Sequence, residues 1–174
     1  SEVEEIIRQD MAGDPAGHQP RDRFDRFIEE SIVLDIDRPM GVEELFRTIA
    51  EALSGRLDMP AEALHVRLVA REKESSTAIS RWLAIPHIII GGTRRFCILL
   101  ARCRQGVRFS DAAPMVHAVF VLAGTKDERT FHLQALSAIA QVAQTPHFEQ
   151  QWLRAGNEKA LREVLLKAER KRLR

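Results

Sequence analysis

The spacing of apolar and polar residues divides the first half of the folded chain into one strand and two helices. Residues 31–36 are apolar and β-branched and predict a strand that ends at Arg38-Pro39. Residues 42–53 place apolar side chains at helical spacing, which predicts a helix with one buried face. A second helix is predicted to begin at Pro60, because proline suits the first turn of a helix, and to end near Arg71.

The middle of the chain changes to a strand pattern. Residues 83–90 and 95–103 are short apolar runs separated by Gly91-Gly92, which predicts two strands joined by a tight turn. Residues 115–123 predict a further buried strand.

Three more helices are predicted after these strands. Thr125 and Glu128 have the spacing of a capping box, which favours a helix over residues 131–144. Thr145-Pro146 begins the next helix and Asn157 the last one. Because helices flank the strands without strict alternation, the predicted class is α/β or α+β with a mixed sheet flanked by helices.

The composition agrees with a globular protein. The chain has 174 residues, of which 45% are apolar and 29% charged, and its net charge is +1. This near balance of charge argues against a dedicated nucleic-acid binder, which carries a basic face. No apolar run approaches the roughly 20 residues that span a bilayer. The two cysteines form no disulfide framework, so we expect a cytoplasmic protein.

The first thirty residues differ from the rest in charge and in helix-breaking residues. The first thirty residues are acidic, whereas residues 156–174 are basic. Gly13, Pro15 and Gly17 interrupt the helical pattern of the first thirty residues. We therefore expect an N-terminal helical extension or linker over residues 1–30 and a folded domain over residues 31–174. The extension is either a linker from a longer protein or an additional solvated pair of helices.

Histidine is the main candidate for chemistry, since no cluster has metal-ligand spacing and no glycine-rich phosphate loop occurs. His87 interrupts an apolar run after Pro86. It is either a buried histidine bonded to a backbone carbonyl or a nucleophile, because neutral imidazole is nucleophilic near pH 7. His132 lies near the start of a predicted helix, where it is either a histidine on the helix surface or one that faces an anion beside the free N–H groups. His117, within a strand, is interpreted as a hydrogen-bonded histidine of the core or edge.

Four motifs follow one another in a fixed order along the chain. They are Arg71-Glu72, Ser76-Thr77, Ala84-Ile85-Pro86-His87 and His132-Leu133-Gln134. This ordered set resembles the type-2 EIIA domains of the phosphotransferase system, the class that includes the fructose, mannitol and nitrogen-regulatory (PtsN-like) members. The resemblance covers about residues 31–170.

The resemblance implies a mixed sheet flanked by helices and a phosphotransferase-type phosphoryl carrier. His87 would accept the phosphoryl group from HPr or its nitrogen-branch counterpart, and His132 would be the second active-site histidine. Arg71 would contact the phosphoryl oxygens, while Thr77 and Ser76 would support the ring or contact the group. The resemblance implies no metal and no organic cofactor. The implied partners are an HPr-like carrier and either a sugar permease IIB component or an attached membrane transporter.

One segment departs from the family pattern. Family members carry a glycine-rich stretch before the Ala-Ile-Pro-His motif, whereas residues 78–82 here contain no glycine and include Arg81 and Trp82. Three functions therefore stay open. They are a working phosphocarrier, a regulatory IIA-like domain attached to an antiporter or amino-acid permease at the inner membrane, and an inactive scaffold.

Overall fold

The computed structural model describes residues 20–172, in which five strands form one mixed sheet. The strands are β1 (Ile32–Ile36), β2 (Leu83–Ala84), β3 (His87–Ile90), β4 (Phe96–Val107) and β5 (Val116–Thr125). The helices are α1 (Arg23–Glu29), α2 (Val42–Leu57), α3 (Ala61–Glu74), α4 (Arg129–Ala143), α5 (Phe148–Arg154) and α6 (Glu158–Leu166). A 3₁₀ turn (Lys126–Glu128) precedes α4.

The sheet has the order β1-β4-β5, with β2 and β3 both beside β5. β1 is parallel to β4, β4 is antiparallel to β5, and β2 and β3 are parallel to β5. Leu83 pairs with Ala118 and His87 with Leu122, so β2 and β3 keep one register and form an edge strand interrupted at Ile85-Pro86. An edge position tolerates proline, which has no N–H to donate. The interruption places His87 at the start of β3.

Two apolar layers cover the sheet because successive strand residues point to opposite faces. Leu100 and Phe120 face a cluster that includes buried side chains of α1, α4, α5 and α6. Leu99 and Val121 face the cluster that includes α2 and α3. The predicted mixed sheet flanked by helices is confirmed. None of the helices within residues 20–172 is long and apolar enough to cross a membrane.

The predicted strands on either side of Gly91-Gly92 are present, but the first is interrupted at Ile85-Pro86 and the second extends to Val107. The prediction that a tight turn joins them as neighbours was wrong. Ile88 of β3 and Cys97 of β4 both pair with Ala123, from opposite sides of β5. The segment at Gly91-Gly92 therefore crosses the end of β5. The hairpin signal considers only neighbouring residues, whereas the pairing here is decided by β5, a strand later in the chain that lies between β3 and β4.

The capping box predicted at Thr125 is also wrong. Its hydroxyl accepts a hydrogen bond from the Arg95 backbone N–H at 3.3 Å and makes no cap contact with the helix. Asn157, in contrast, does cap α6, since its side chain accepts from the Ala160 N–H at 2.8 Å.

Helix α1 lies within the predicted extension and packs into the same core as the sheet. Phe24 and Ile28 are fully buried. Asp25, also fully buried, forms ion pairs at 3.0 Å with both Arg170 and Arg172. The inner face of α1 is therefore not solvated. Residues 1–19 of the predicted extension lie outside the described residues, and the division at residue 30 stays a prediction.

Candidate functional site

His87 is held in one tautomer by a backbone carbonyl. Its Nδ1 lies 2.8 Å from the carbonyl oxygen of Ile85. Since a carbonyl only accepts, Nδ1 carries the proton and donates it, and the lone pair lies on Nε2. The interrupted edge strand creates this geometry, because Ile85 and Pro86 leave the regular ladder just before the ring. The ring nitrogen of His87 that carries the lone pair is therefore Nε2.

Arg71 lies beside that nitrogen. Its Nη2 is 3.3 Å from Nε2 of His87, and its Nη1 donates to the carbonyl of Ser75 at 3.0 Å. Ser75 is the C-cap of α3, so the arginine folds back over the end of its own helix and reaches the neighbouring strand. A guanidinium in this position can donate to a lone pair or to the oxygens of an anion.

His132 of α4 faces His87 across the site. The two ring centroids are 5.6 Å apart, and the ring planes cross at 71°. The His132 residue is only 5% exposed, and its Nδ1 has no hydrogen-bond partner within residues 20–172. Burial, with a smaller contribution from the charge of His87, lowers the pKa of His132 to about 4. His132 is therefore neutral at pH 7.

Thr77 is hydrogen-bonded to the segment that precedes His87. Its carbonyl accepts from the Ile85 N–H at 2.9 Å, next to the carbonyl that orients His87. Its hydroxyl donates to a carboxylate oxygen of Glu72 at 2.5 Å, and its N–H donates to the other oxygen at 3.1 Å. Glu72 thus anchors Thr77, a supporting role that the sequence indicated only through the Arg71-Glu72 motif.

Ser76 is the predicted site residue that the structure does not bring into this group. It is exposed, and its Oγ accepts from the Ala78 N–H at 3.2 Å. In the described part of the chain, Ser76 makes no hydrogen bond with His87, Arg71 or His132.

His117 was interpreted from the sequence as a hydrogen-bonded histidine of the core or edge. Its Nδ1 lies 2.8 Å from the carbonyl oxygen of Cys103, so this interpretation is confirmed.

Within residues 20–172 no group of histidine, cysteine and acidic side chains could hold a metal ion.

Comparison with known proteins identifies the family. Residues 27–168 match the model of the family described as phosphoenolpyruvate-dependent sugar phosphotransferase system, EIIA 2. The chain belongs to this family. Its membership confirms the resemblance seen in the ordered motifs and supports a phosphoryl-carrier role for this EIIA domain.

A fused protein is among the relatives of this EIIA domain. The fructose-specific EIIABC component of Bacillus subtilis (strain 168) is 29% identical over 126 residues, which cover 71% of this chain and 19% of that relative. The chain therefore spans about a fifth of the relative's length.

Solved structures with the same fold include two EIIA proteins. The nitrogen-regulatory protein IIA-Ntr of Neisseria meningitidis has a TM-score of 0.70 at 24% identity, covering 77% of this chain and 92% of that one. The IIA mannitol protein of Escherichia coli has a TM-score of 0.64 at 18% identity, covering 76% and 94%. These likenesses confirm the predicted fold.

Proposed function

We propose that His87 accepts a phosphoryl group on Nε2 from the phosphohistidine of an HPr-like carrier or its nitrogen-branch counterpart. The group is then passed on or retained as a signal. The observation that carries this proposal is the pairing of a fixed tautomer with an adjacent cation. Ile85 holds the Nδ1 proton at 2.8 Å, and Arg71 lies 3.3 Å from the free Nε2.

The transfer balances without a cofactor. The Nε2 lone pair of His87 forms a new P–N bond as the P–N bond of the donor phosphohistidine breaks. When the donor ring is a protonated phosphoimidazolium, it leaves as neutral imidazole, and the positive charge moves to the ring of His87. The Nδ1 proton stays in place, and the Ile85 carbonyl stabilises it there.

The neighbouring residues supply what phosphoryl transfer needs, which is positioning and stabilisation of charge on the equatorial oxygens. Arg71 donates to those oxygens once Nε2 is occupied. His132 is neutral and nearly buried, so it offers hydrogen bonding next to His87 without the repulsion that a second imidazolium would bring.

Partners follow from the same proposal. The mannitol IIA of Escherichia coli has been solved in complex with phosphorylated enzyme IIB mannitol, with a TM-score of 0.62 to this chain at 18% identity. We propose a IIB-type component or an attached membrane transporter as the recipient here. This function requires a cytoplasmic domain, tethered to the inner membrane if it belongs to a longer transporter.

Intact mass measures the phosphoryl group directly. The protein is incubated with phosphoenolpyruvate, the general phosphotransferase enzyme and HPr, and the mass of one added phosphoryl group is expected. His87→Ala abolishes the addition. His117→Ala is the matched control, because His117 also donates Nδ1–H to a backbone carbonyl at 2.8 Å, and this variant keeps the addition.

An inactive regulatory domain attached to an antiporter or amino-acid permease is the second candidate. The segment before the site favours it, because Ile79 is 51% exposed and Arg81 is exposed where family members carry glycine. If neither HPr nor its nitrogen-branch counterpart labels the wild-type protein, the carrier proposal is wrong and this regulatory candidate is the one to pursue.

A further inference from the structure

Phe96 contacts the second histidine of the site. It is the first residue of β4, and its ring meets that of His132 edge to face, with centroids 5.7 Å apart and planes at 86°. His132 in turn contacts His87 at 5.6 Å. The ring of His132 therefore has an aromatic neighbour on β4 as well as its reactive neighbour on β3.

Phe96 is itself fixed on three sides. Its ring lies 4.8 Å from that of Phe131 and 5.3 Å from that of Phe27 on α1. It also packs directly on the backbone of β5, because a Cβ atom placed on Gly124 would lie only 2.6 Å from Cδ2 of Phe96. Gly124 is the residue paired with Phe96 in the sheet, so the absence of a side chain there makes room for the ring.

Helix α1 is attached to the start of α4 through the aromatic cluster of Phe27, Phe96 and Phe131. The guanidinium of Arg23 lies 4.1 Å from the ring centroid of Phe131 and forms an ion pair with Glu128 at 2.6 Å. Phe27 also contacts Phe131, with centroids 5.1 Å apart. Helix α1 therefore contributes packing to α4, the helix that carries His132.

We propose that Phe96 is a positioning residue for His132, held in place by Phe27 of α1, and that it sets the orientation of the second histidine in the phosphoryl-transfer site. The proposal rests on the function proposed above. Functional histidines are commonly oriented by a hydrogen bond from the ring nitrogen that does not react. Nδ1 of His132 has no such partner within residues 20–172, so packing must supply the orientation.

The first test uses the unphosphorylated protein and follows the ring signals of His132 by NMR during a pH titration. His87 is the titratable group in contact with His132, Arg71 lies beyond it, and the Arg23–Glu128 pair lies at the start of α4. In Phe96→Leu we expect the midpoint of His132 to rise by about one pH unit, because water reaches the ring.

Phe120→Leu is the matched control for this titration. Phe120 is a fully buried phenylalanine in the same apolar layer, but its aromatic contacts are Phe148 and Trp152. The control should leave the midpoint of His132 unchanged. An unchanged midpoint in Phe96→Leu, or an equal rise in Phe120→Leu, would overturn the positioning role.

The second test is a double-mutant cycle on the rate of phosphoryl transfer from phosphorylated HPr. We expect Phe96→Leu to slow transfer about tenfold in the presence of His132, since small misplacements are costly at a reaction centre. In the His132→Ala background the same substitution should have little further effect, because the residue through which Phe96 acts is gone. Equal slowing in both backgrounds would show a merely structural role.

Gly124→Ala provides a variant that keeps the phenylalanine. The new methyl group would displace the ring of Phe96, so we expect the same rise in the His132 midpoint as in Phe96→Leu. An unchanged midpoint in a folded Gly124→Ala protein would contradict the proposal. The titration does not depend on phosphorylation, so the two proposals fail in different ways. If the carrier function is wrong, the wild-type protein stays unlabelled. If the positioning role is wrong, the titration midpoint of His132 is the same in the variants as in the wild type.

Discussion

At the scale of single residues, two strand histidines make the same backbone hydrogen bond and differ in what surrounds the other nitrogen. His87 and His117 each donate Nδ1–H to a carbonyl at 2.8 Å. Of the two, and within the described residues, His87 is the one with an arginine at its second nitrogen, since Nη2 of Arg71 lies 3.3 Å from Nε2. In both histidines this tautomer leaves the lone pair on Nε2. The guanidinium of Arg71 beside His87 makes that position favourable for an anionic group.

Arg71 is expected to carry a large part of the transfer rate. Arg71→Ala should slow phosphoryl transfer from phosphorylated HPr about 100-fold, because one preorganised donor to the transition-state charge is lost. Arg71→Lys should restore part of the rate, since lysine keeps the charge and loses the planar fork.

Arg67→Ala is the matched control for Arg71. Arg67 lies one turn earlier on α3, and its guanidinium donates to the Ile89 carbonyl at 2.9 Å. Its substitution should change the rate less than about threefold, as is typical away from the reacting group. A rate for Arg71→Ala equal to that of Arg67→Ala would exclude the proposed role of Arg71.

His132 makes stability depend on pH. Its pKa is about 4 in the folded state against 6.5 for the unperturbed group. Between these values the unfolded chain binds a proton that the folded protein does not, so the stability contribution is complete above 6.5 and is lost as pH falls towards 4. From pH 7 to pH 5 the loss should be about 2 kcal/mol in the free energy of unfolding.

Urea unfolding at a series of pH values measures this loss. His132→Leu should reduce the decrease between pH 7 and pH 5 by most of that amount, because the titrating group is absent. His117→Leu keeps His132 and should retain the contribution of His132. If the free energy of unfolding changes with pH in the same way in wild type and His132→Leu, the pH dependence does not come from His132.

At the scale of elements, one buried arginine joins two strands and a helix end. Arg102 on β4 is fully buried and donates to both carboxylate oxygens of Asp35 on β1, at 2.9 and 2.7 Å. It also donates to the carbonyls of Trp152 and Ala155 at the end of α5, at 3.0 and 2.5 Å. Hydrogen bonds from Arg102, and then from Arg104, hold the pKa of Asp35 well below its usual range.

Asp35→Ala should therefore destabilise the fold strongly. It leaves the buried Arg102 without its counter-ion, which costs about 3 kcal/mol in the free energy of unfolding. Asp37→Ala is the matched control, because the carboxylate of Asp37 accepts a hydrogen bond from the exposed Gln105, at 3.2 Å, and not from a buried arginine. The control should change stability by less than about 1 kcal/mol. Equal urea midpoints for the two variants would contradict the role of this pair.

At the scale of the whole molecule, buried ion pairs join the two ends of the described chain. Arg170, whose side chain is fully buried, contacts Asp22 at 2.7 Å and Asp25 at 3.0 Å. Arg172 contacts Asp25 at 3.0 Å. These contacts hold α1 against the sheet. Helix α1 in turn carries Phe27, which contacts Phe96 and Phe131 next to His132. The overall charge balance thus includes specific pairs between an acidic start and a basic end.

Asp25→Ala tests this connection between the chain ends. It removes the counter-ion shared by Arg170 and Arg172, and we expect a loss of about 3 kcal/mol in the free energy of unfolding. Glu29→Ala on the same helix is the control, since the Arg21–Glu29 pair is exposed and should contribute less than about 1 kcal/mol. Urea unfolding compares the two. Equal losses would mean that the buried pairs do not anchor α1.

The sequence predicted much of the site because its residues fall in recognisable local motifs. His87, Arg71 and His132 were identified from the order of four short motifs, and the structure brings these three together. Ser76 was named with them and lies apart. Phe96 was missed, because an aromatic residue at the start of a strand carries no signal that distinguishes a neighbour of an active-site histidine from ordinary core.

The sequence by itself determined most of the helices and strands, since helical and strand periodicity are local properties, and it named the candidate residues for the chemistry. Only the tertiary structure decided that β5 lies between β3 and β4, that α1 packs into the core and that Asp35 meets Arg102 sixty-seven residues away. These features depend on contacts between distant segments, whose free energy comes from burial of whole faces and cannot be obtained from neighbouring residues. The contact between His87 and His132 belongs to the same class.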